Sequence, residues 1–453
     1  MMRAKVVLAA LTALLTASCG QADDRPTLVI QRFFGECGAV YGTATDVAKA
    51  ETECGILTTI LNRFVAENPD INVKVNVVAW PGYPQLAAQI AAGDPPDLVT
   101  MHQSVISDYQ ARGLLSPMDE LLADAKIDTH SLTLAAQRGA MKDGRYYALP
   151  WDTIGRLWHI NTGLMAKAGL MADGKPILPN TPAELLDHAR KFKSATGKPY
   201  LIQAQVSAPD YLVANLYTYL LAQDAVIFPD SRHIRLNTPK ARDIVEMYRT
   251  LNAEKLTTSQ DFPGATASFV NGEGGIFPTG TWMIGPYHEA SKVPGSQLGG
   301  YAVAPFPRLW GTNAAFVDGH AWVVPADERS RAERHAITRF LAFISKYNGD
   351  WVRTGHLPAF RDVLVSPSFT SQPHRSDIAA MAATGQQLPG FVQRQSAIQG
   401  LIGEELEAAV TGTKPVGVAL ANADRRVNEL LAEMQEVNRQ TEARQRPGHL
   451  GER

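Results

Sequence analysis

The alternation of apolar and polar positions divides the chain into short elements of changing type. Leu28-Val29-Ile30 is a brief apolar run that reads as a strand. From Gly55 to Val65, Ile56, Ile60, Leu61 and Phe64 fall on one face of a helix, and Asn68-Pro69-Asp70 ends it. Ile71, Val73, Val75 and Val77 then alternate with polar residues, which predicts a second strand. Pro84 to Ala92 reads as helix, Gly93-Asp94-Pro95-Pro96 as a turn, and Asp97 to Met101 as a third strand. This order predicts a parallel α/β sheet. Thr181 to Phe192 carries a helix start, with Thr181 as N-cap, Pro182 first and Glu184 third. The last third reads as mostly helical. Arg331 to Ile344 and the stripe Val427, Leu430, Leu431, Met434 and Val437 present core faces, and 441–453 reads as a disordered polar tail.

The first residues follow a different pattern. Arg3 and Lys5 precede an apolar run from Val6 to Leu15, and Thr16-Ala17-Ser18 leads to Cys19. That is the layout of a secretory signal peptide, shorter than the ~20 apolar residues of a spanning helix. Small residues stopping at a cysteine resemble the lipobox of bacterial lipoproteins, so residues 1–19 are a candidate lipoprotein signal with Cys19 as the lipidated end. Simple cleavage beside an incidental cysteine is the alternative. Only Cys37 and Cys54 then remain. In an oxidising compartment an even pair reads as a disulfide, with a contribution on the order of 3 kcal/mol by loop entropy; two separate buried thiols are the alternative. A zinc site would lack ligands.

Composition narrows the function classes. With 43 Lys and Arg against 45 Asp and Glu there is no basic excess for nucleic acid. No second apolar run reaches spanning length. No His-Glu-x-x-His or Gly-x-Ser-x-Gly pattern occurs, and the glycine-rich stretch Gly272–Gly280 lacks the Lys-Ser/Thr end of a phosphate-binding loop. No catalytic residue, metal or cofactor is assigned. Aromatic residues do stand beside turns: Trp80 and Tyr83, Trp151 next to Asp152, and Trp282 after Gly280. Open α/β sheets bind ligands beyond the carboxyl ends of their strands. A ring that stacks on an apolar sugar face, beside a carboxylate that accepts from hydroxyls, suits a carbohydrate pocket. Each tryptophan also has a plain reading as a core residue.

Several ordered segments resemble the extracellular sugar-binding proteins of ABC importers, the class of maltose- and trehalose-binding proteins. They are Ala91-Ala-Gly-Asp-Pro-Pro-Asp-Leu-Val99, Gly113-Leu-Leu-Ser-Pro-Met-Asp-Glu120 and Tyr147-Ala-Leu-Pro-Trp-Asp-Thr-Ile-Gly-Arg156, followed by Thr181-Pro-Ala-Glu-Leu185. Phe269-Val-Asn-Gly-Glu-Gly-Gly-Ile-Phe277, Gly280-Thr-Trp-Met283, Gly355-His-Leu-Pro358 and Thr411-Gly-Thr-Lys-Pro-Val416 complete the series. The resemblance implies a periplasmic-binding-protein fold, two α/β lobes joined by several hinge crossings around a ligand cleft. It puts residues 27–153 and 319–357 in an N-terminal lobe, and 154–318 and 358–440 in a C-terminal lobe. It implies a non-catalytic, monomeric protein of the periplasm, held to a membrane only by lipid, that delivers a carbohydrate, a disaccharide first, to an ABC permease. The implied ligand residues are Glu36, Trp80, Tyr83, His102, Gln103, Trp151, Asp152, Arg156, Trp282, Met283, Asp318, His320 and Arg361. Arg156 and Arg361 stand equally well as structural ion pairs. The cysteine loop beside Glu36 departs from better-known members. A secreted glycosidase with two carboxylates and a sensory lipoprotein of the same fold remain alternatives.

Overall fold

The computed structural model of this protein describes residues 24–206 and 209–445. The signal segment with Cys19 lies outside the described residues, as do residues 446–453 of the polar tail; the last described helix runs Val416–Gln445, through the first part of that tail. In chain order the strands of the two main sheets are β1 (Thr27–Arg32), β2 (Asn72–Val77), β3 (Leu98–His102), β4 (Leu149–Pro150), β5 (Asp152–Asn161) and β6 (Ile276–Gly280). They continue with β7 (Tyr301–Ala304), β8 (Ala315–Asp318), β9 (His320–Val323), β10 (Leu357–Pro358) and β11 (Gly385–Gln386).

The first sheet has the order β2-β1-β3-β9-β4. β1 is parallel to β2 and β3, as the strand–helix alternation of the first hundred residues predicts, because parallel neighbours need a crossover helix between them. That crossover is the helix Thr52–Glu67, which buries Ile56, Ile60, Leu61 and Phe64. β2 keeps its alternating sequence but lies at the sheet edge, where none of its residues is fully buried. The late strand β9 is antiparallel to both its neighbours, β3 and β4. The second sheet is centred on the long β5, which pairs antiparallel with β6, β7, β8 and β10.

Two large cores follow from this layout. One joins Leu28 through Trp151 to Ala321 through Ala359, and the other takes Trp158 through Ile276 and Phe306 through Leu431. Each core is therefore discontinuous in sequence. The helix start read at Thr181 forms with its cap. Thr181 Oγ accepts the Glu184 N–H at 3.1 Å while the Glu184 carboxylate accepts the Asn180 N–H at 2.6 Å. Ser330 and Glu333 make a reciprocal capping box at the start of Arg331–Ile344.

Candidate functional site

Three segments run between the two cores, and they lie side by side. The first half of β5 pairs with β8 through Val317↔Gly155 and Asp318↔Ile154, and with β10 through Leu357↔Thr153 and Pro358↔Asp152. Each segment brings one polar side chain to a common buried point: Asp152, His320 and His356. Asp152 accepts from the His320 N–H at 2.8 Å, from His320 Nδ1 at 2.9 Å and from Trp351 Nε1 at 2.7 Å. Burial alone pushes the Asp152 carboxyl up, but the His320 and His356 charges and the His320 hydrogen bonds outweigh it and hold it at about 2. Burial pulls the His320 imidazole down, and the Asp152 charge more than reverses this. His102, stacked on Phe33 and beside His320, falls to about 4 through burial and then the His320 charge.

Glycine is required where these segments cross. A Cβ at Gly319 would meet the Asp152 carbonyl oxygen at 2.3 Å. Gly355 has φ +112° and its Cβ would meet the Thr281 carbonyl oxygen at 2.2 Å. Asp152, His320 and His356 each offer a ligand atom within 4.8 Å of the others, a spacing that suits a metal ion. Asp152 already accepts on both oxygens, and His356 spends Nε2 on Glu53 and Nδ1 on Thr281. The Asp152 oxygens and both His356 nitrogens are thus engaged by protein groups, and we assign no metal to the cluster.

Beside this hinge, a cavity of about 660 Å³ opens between the two cores. One wall is the start of helix Thr52–Glu67, with Glu53 and Ile56; the other is Trp282, Met283 and the start of helix Ile284–Lys292. Arg353, Thr354 and Arg375 close the back. Thr52 has φ +62°, so this helix opens on a strained residue at the cavity edge. The Arg375 guanidinium is buried, donates to the Val352, Pro373 and Arg353 carbonyls, and is lowered to about 10 by that burial.

Of the residues expected to touch ligand, Trp282 and Met283 line this cavity. Tyr83, His102 and Trp80 form a shelf at the end of β3: the Tyr83 hydroxyl lies 2.6 Å from His102 Nδ1, and Trp80, 71% exposed, meets the His102 ring edge-on. Glu36 is exposed and accepts from the Gly38 N–H at 2.9 Å in its own loop. Cys37 and Cys54 close that loop, Cα atoms 5.9 Å apart.

The other expected residues take structural posts instead. Trp151 is buried in the first core against Trp351, because the Leu149–Pro150 strand carries it inward rather than to a loop edge. Gln103 donates to the Asp152 carbonyl at 3.0 Å, and Asp152 and His320 pair with each other. Asp318 accepts from Ser104 N–H and Oγ and from Gly319 N–H. Arg156 pairs with Asp210 at 2.5 Å above the Tyr211 ring, and Arg361 donates to the Leu132 and His130 carbonyls. Glu53, Arg353 and Arg375 were missed. Glu53 adjoins Cys54 at a helix start, and the arginines sit in helical stretches with no pattern to single them out.

Residues 48–346 match the family described as bacterial extracellular solute-binding protein. A probable sugar-binding periplasmic protein of Rhizobium meliloti is 25% identical over 61% of this chain and 66% of its own length. The chain spans about half to two thirds of the length of the first curated relatives it matches. The sn-glycerol-3-phosphate-binding periplasmic protein UgpB of Yersinia pseudotuberculosis is 22% identical over 84% of this chain and 90% of its own. The sugar-binding protein MalE of Xanthomonas citri superposes with a TM-score of 0.75 at 18% identity, covering 91% of this chain and 99% of the other. That match shows the two-lobed periplasmic-binding-protein fold. Among the described residues, no helix is long and apolar enough to cross a membrane.

Proposed function

We propose that this chain, which belongs to the bacterial extracellular solute-binding protein family, captures a carbohydrate between its lobes and hands it unchanged to an ABC permease. The lobes are residues 27–153 with 319–357 and residues 154–318 with 358–440, and they close by hinge motion at the three crossings. The observation that carries the reading is the cavity itself. The half-exposed Trp282 offers a ring face to an apolar sugar surface, and Glu53 on the opposing lobe offers a hydroxyl acceptor. Its volume lies within the range of about 300–1,000 Å³ for small-molecule sites and suits a disaccharide. The protein acts as a monomer in the periplasm, held by lipid at Cys19.

A second reading, a phosphorylated polyol, is favoured by Arg375, a buried guanidinium on the cavity wall whose three bonded partners are backbone carbonyls. A thermal-shift screen with calorimetric confirmation separates the two. Maltose, trehalose, glucose and glycerol 3-phosphate are the probes. A true ligand at a hundredfold above its Kd stabilises the fold by about 2.7 kcal/mol. A sugar hit supports the first reading, and binding of glycerol 3-phosphate alone replaces it with the second. Hydrolysis of a bound disaccharide overturns both in favour of a glycosidase.

A further inference from the structure

Within the binding reading above, on which this inference rests, we propose that Glu53 is a ligand-contacting acceptor and that His356 is its positioning residue, coupling ligand capture to the hinge. Glu53 stands on the cavity wall with its side chain 34% exposed. One carboxylate oxygen is 2.6 Å from His356 Nε2, and the other has no hydrogen-bond partner among the described residues. A carboxylate with one oxygen held and the other facing a cavity is a fixed acceptor for a ligand hydroxyl.

His356 is fully buried and cannot touch ligand. Its Nδ1 lies 3.4 Å from Thr281 Oγ1, and Thr281 precedes the cavity residue Trp282 on the other lobe. The same imidazole therefore bridges a carboxylate of the first lobe and the strand end that carries Trp282. It also belongs to the crossing cluster, 5.5 Å from the His320 ring and 5.7 Å from the Trp351 ring, centroid to centroid. The groups facing His356 are Glu53 from helix Thr52–Glu67, Asp152 from β5, His320 from β9, the Trp351 indole and the Thr281 hydroxyl.

Ligand that covers Glu53 strips water from the carboxylate, which raises the worth of the hydrogen bond it accepts from His356. Burial pushes the Glu53 carboxyl up, and the His356 hydrogen bond and charge already more than offset this, keeping it below the ordinary carboxylate range.

The test is calorimetry of the full mature chain with whichever of maltose, trehalose, glucose or glycerol 3-phosphate gives the tightest wild-type binding. Glu53→Gln should bind at least tenfold more weakly, and its unfolding temperature is recorded beside the affinity because the lost contact with His356 also lowers stability. Glu53→Asp should regain part of that loss. His356→Gln keeps a donor toward Glu53 and should lose only a few-fold, whereas His356→Ala removes that donor and should lose at least tenfold. Binding by Glu53→Gln within twofold of wild type overturns the inference and leaves the binding reading standing. Binding by a folded His356→Ala within twofold of wild type overturns the coupling. Absence of saturable wild-type binding to all four probes overturns both.

Discussion

The hinge and the cavity wall are built from the same residue types and use them in opposite ways. At the hinge, Asp152, His320 and Trp351 are buried, and the carboxylate accepts only from protein donors. Across the cavity, Glu53 and Trp282 are half-exposed on the wall, where the proposed ligand would meet a carboxylate oxygen and a ring face. A buried polar group must find its partners within the fold, whereas a half-exposed one can exchange water for ligand. The comparison teaches that tryptophan beside carboxylate has no meaning for binding until burial is known.

The contrast can be broken at three points. Asp152→Ala strands His320 and the Trp351 N–H, and loss of one member of a buried charged pair should cost about 3–5 kcal/mol in a denaturant titration. A loss near 1 kcal/mol would mean the hinge is as tolerant as the cavity. Acid should act on the same residue more mildly. The Asp152 carboxyl is depressed from 3.8 to about 2, so its contribution is complete above the unfolded value and disappears as the pH falls from about 4 towards 2. That corresponds to roughly 2 kcal/mol, readable as a drop in Tm that Asp152→Asn removes from the profile. The raised His320 acts in the opposite direction: its stabilisation is full below about 6.5 and fades as the pH rises through its folded value. The smallest effect is at the cavity. Trp282→Ala should change folding stability by under about 1 kcal/mol, yet weaken sugar binding tenfold or more, about 1.4 kcal/mol. Equal losses in folding and binding would place Trp282 with Trp151 as a core residue.

Much of the fold was legible because it depends on local patterns. The crossover helix, the alternating β2 and the cap at Thr181 announce themselves within a few residues. The site was less so, since it depends on distances between segments hundreds of residues apart. Trp151 and Trp282 look alike in sequence, each beside a turn, and only the placement of β4 against β9 buries one of them. Asp152 and His320 read from the sequence as ligand contacts, and the structure pairs them with each other instead, which no sequence pattern reveals. Glu53 carried no signal beyond its position at a helix start next to a cysteine.

The insertion of β9 between β3 and β4 has a consequence for biosynthesis. When the ribosome has made β4, the strand that must lie between it and β3 is still 170 residues away, counting from Pro150 to His320. At about 5–20 residues per second the nascent chain waits on the order of ten seconds with an incomplete sheet. Through that interval β3 exposes a free edge carrying Leu98, Val99 and Met101, the kind of edge that templates aggregation. Vectorial folding from the N-terminus cannot finish the first lobe; the growing chain must remain open, or shielded, until its last third has been made.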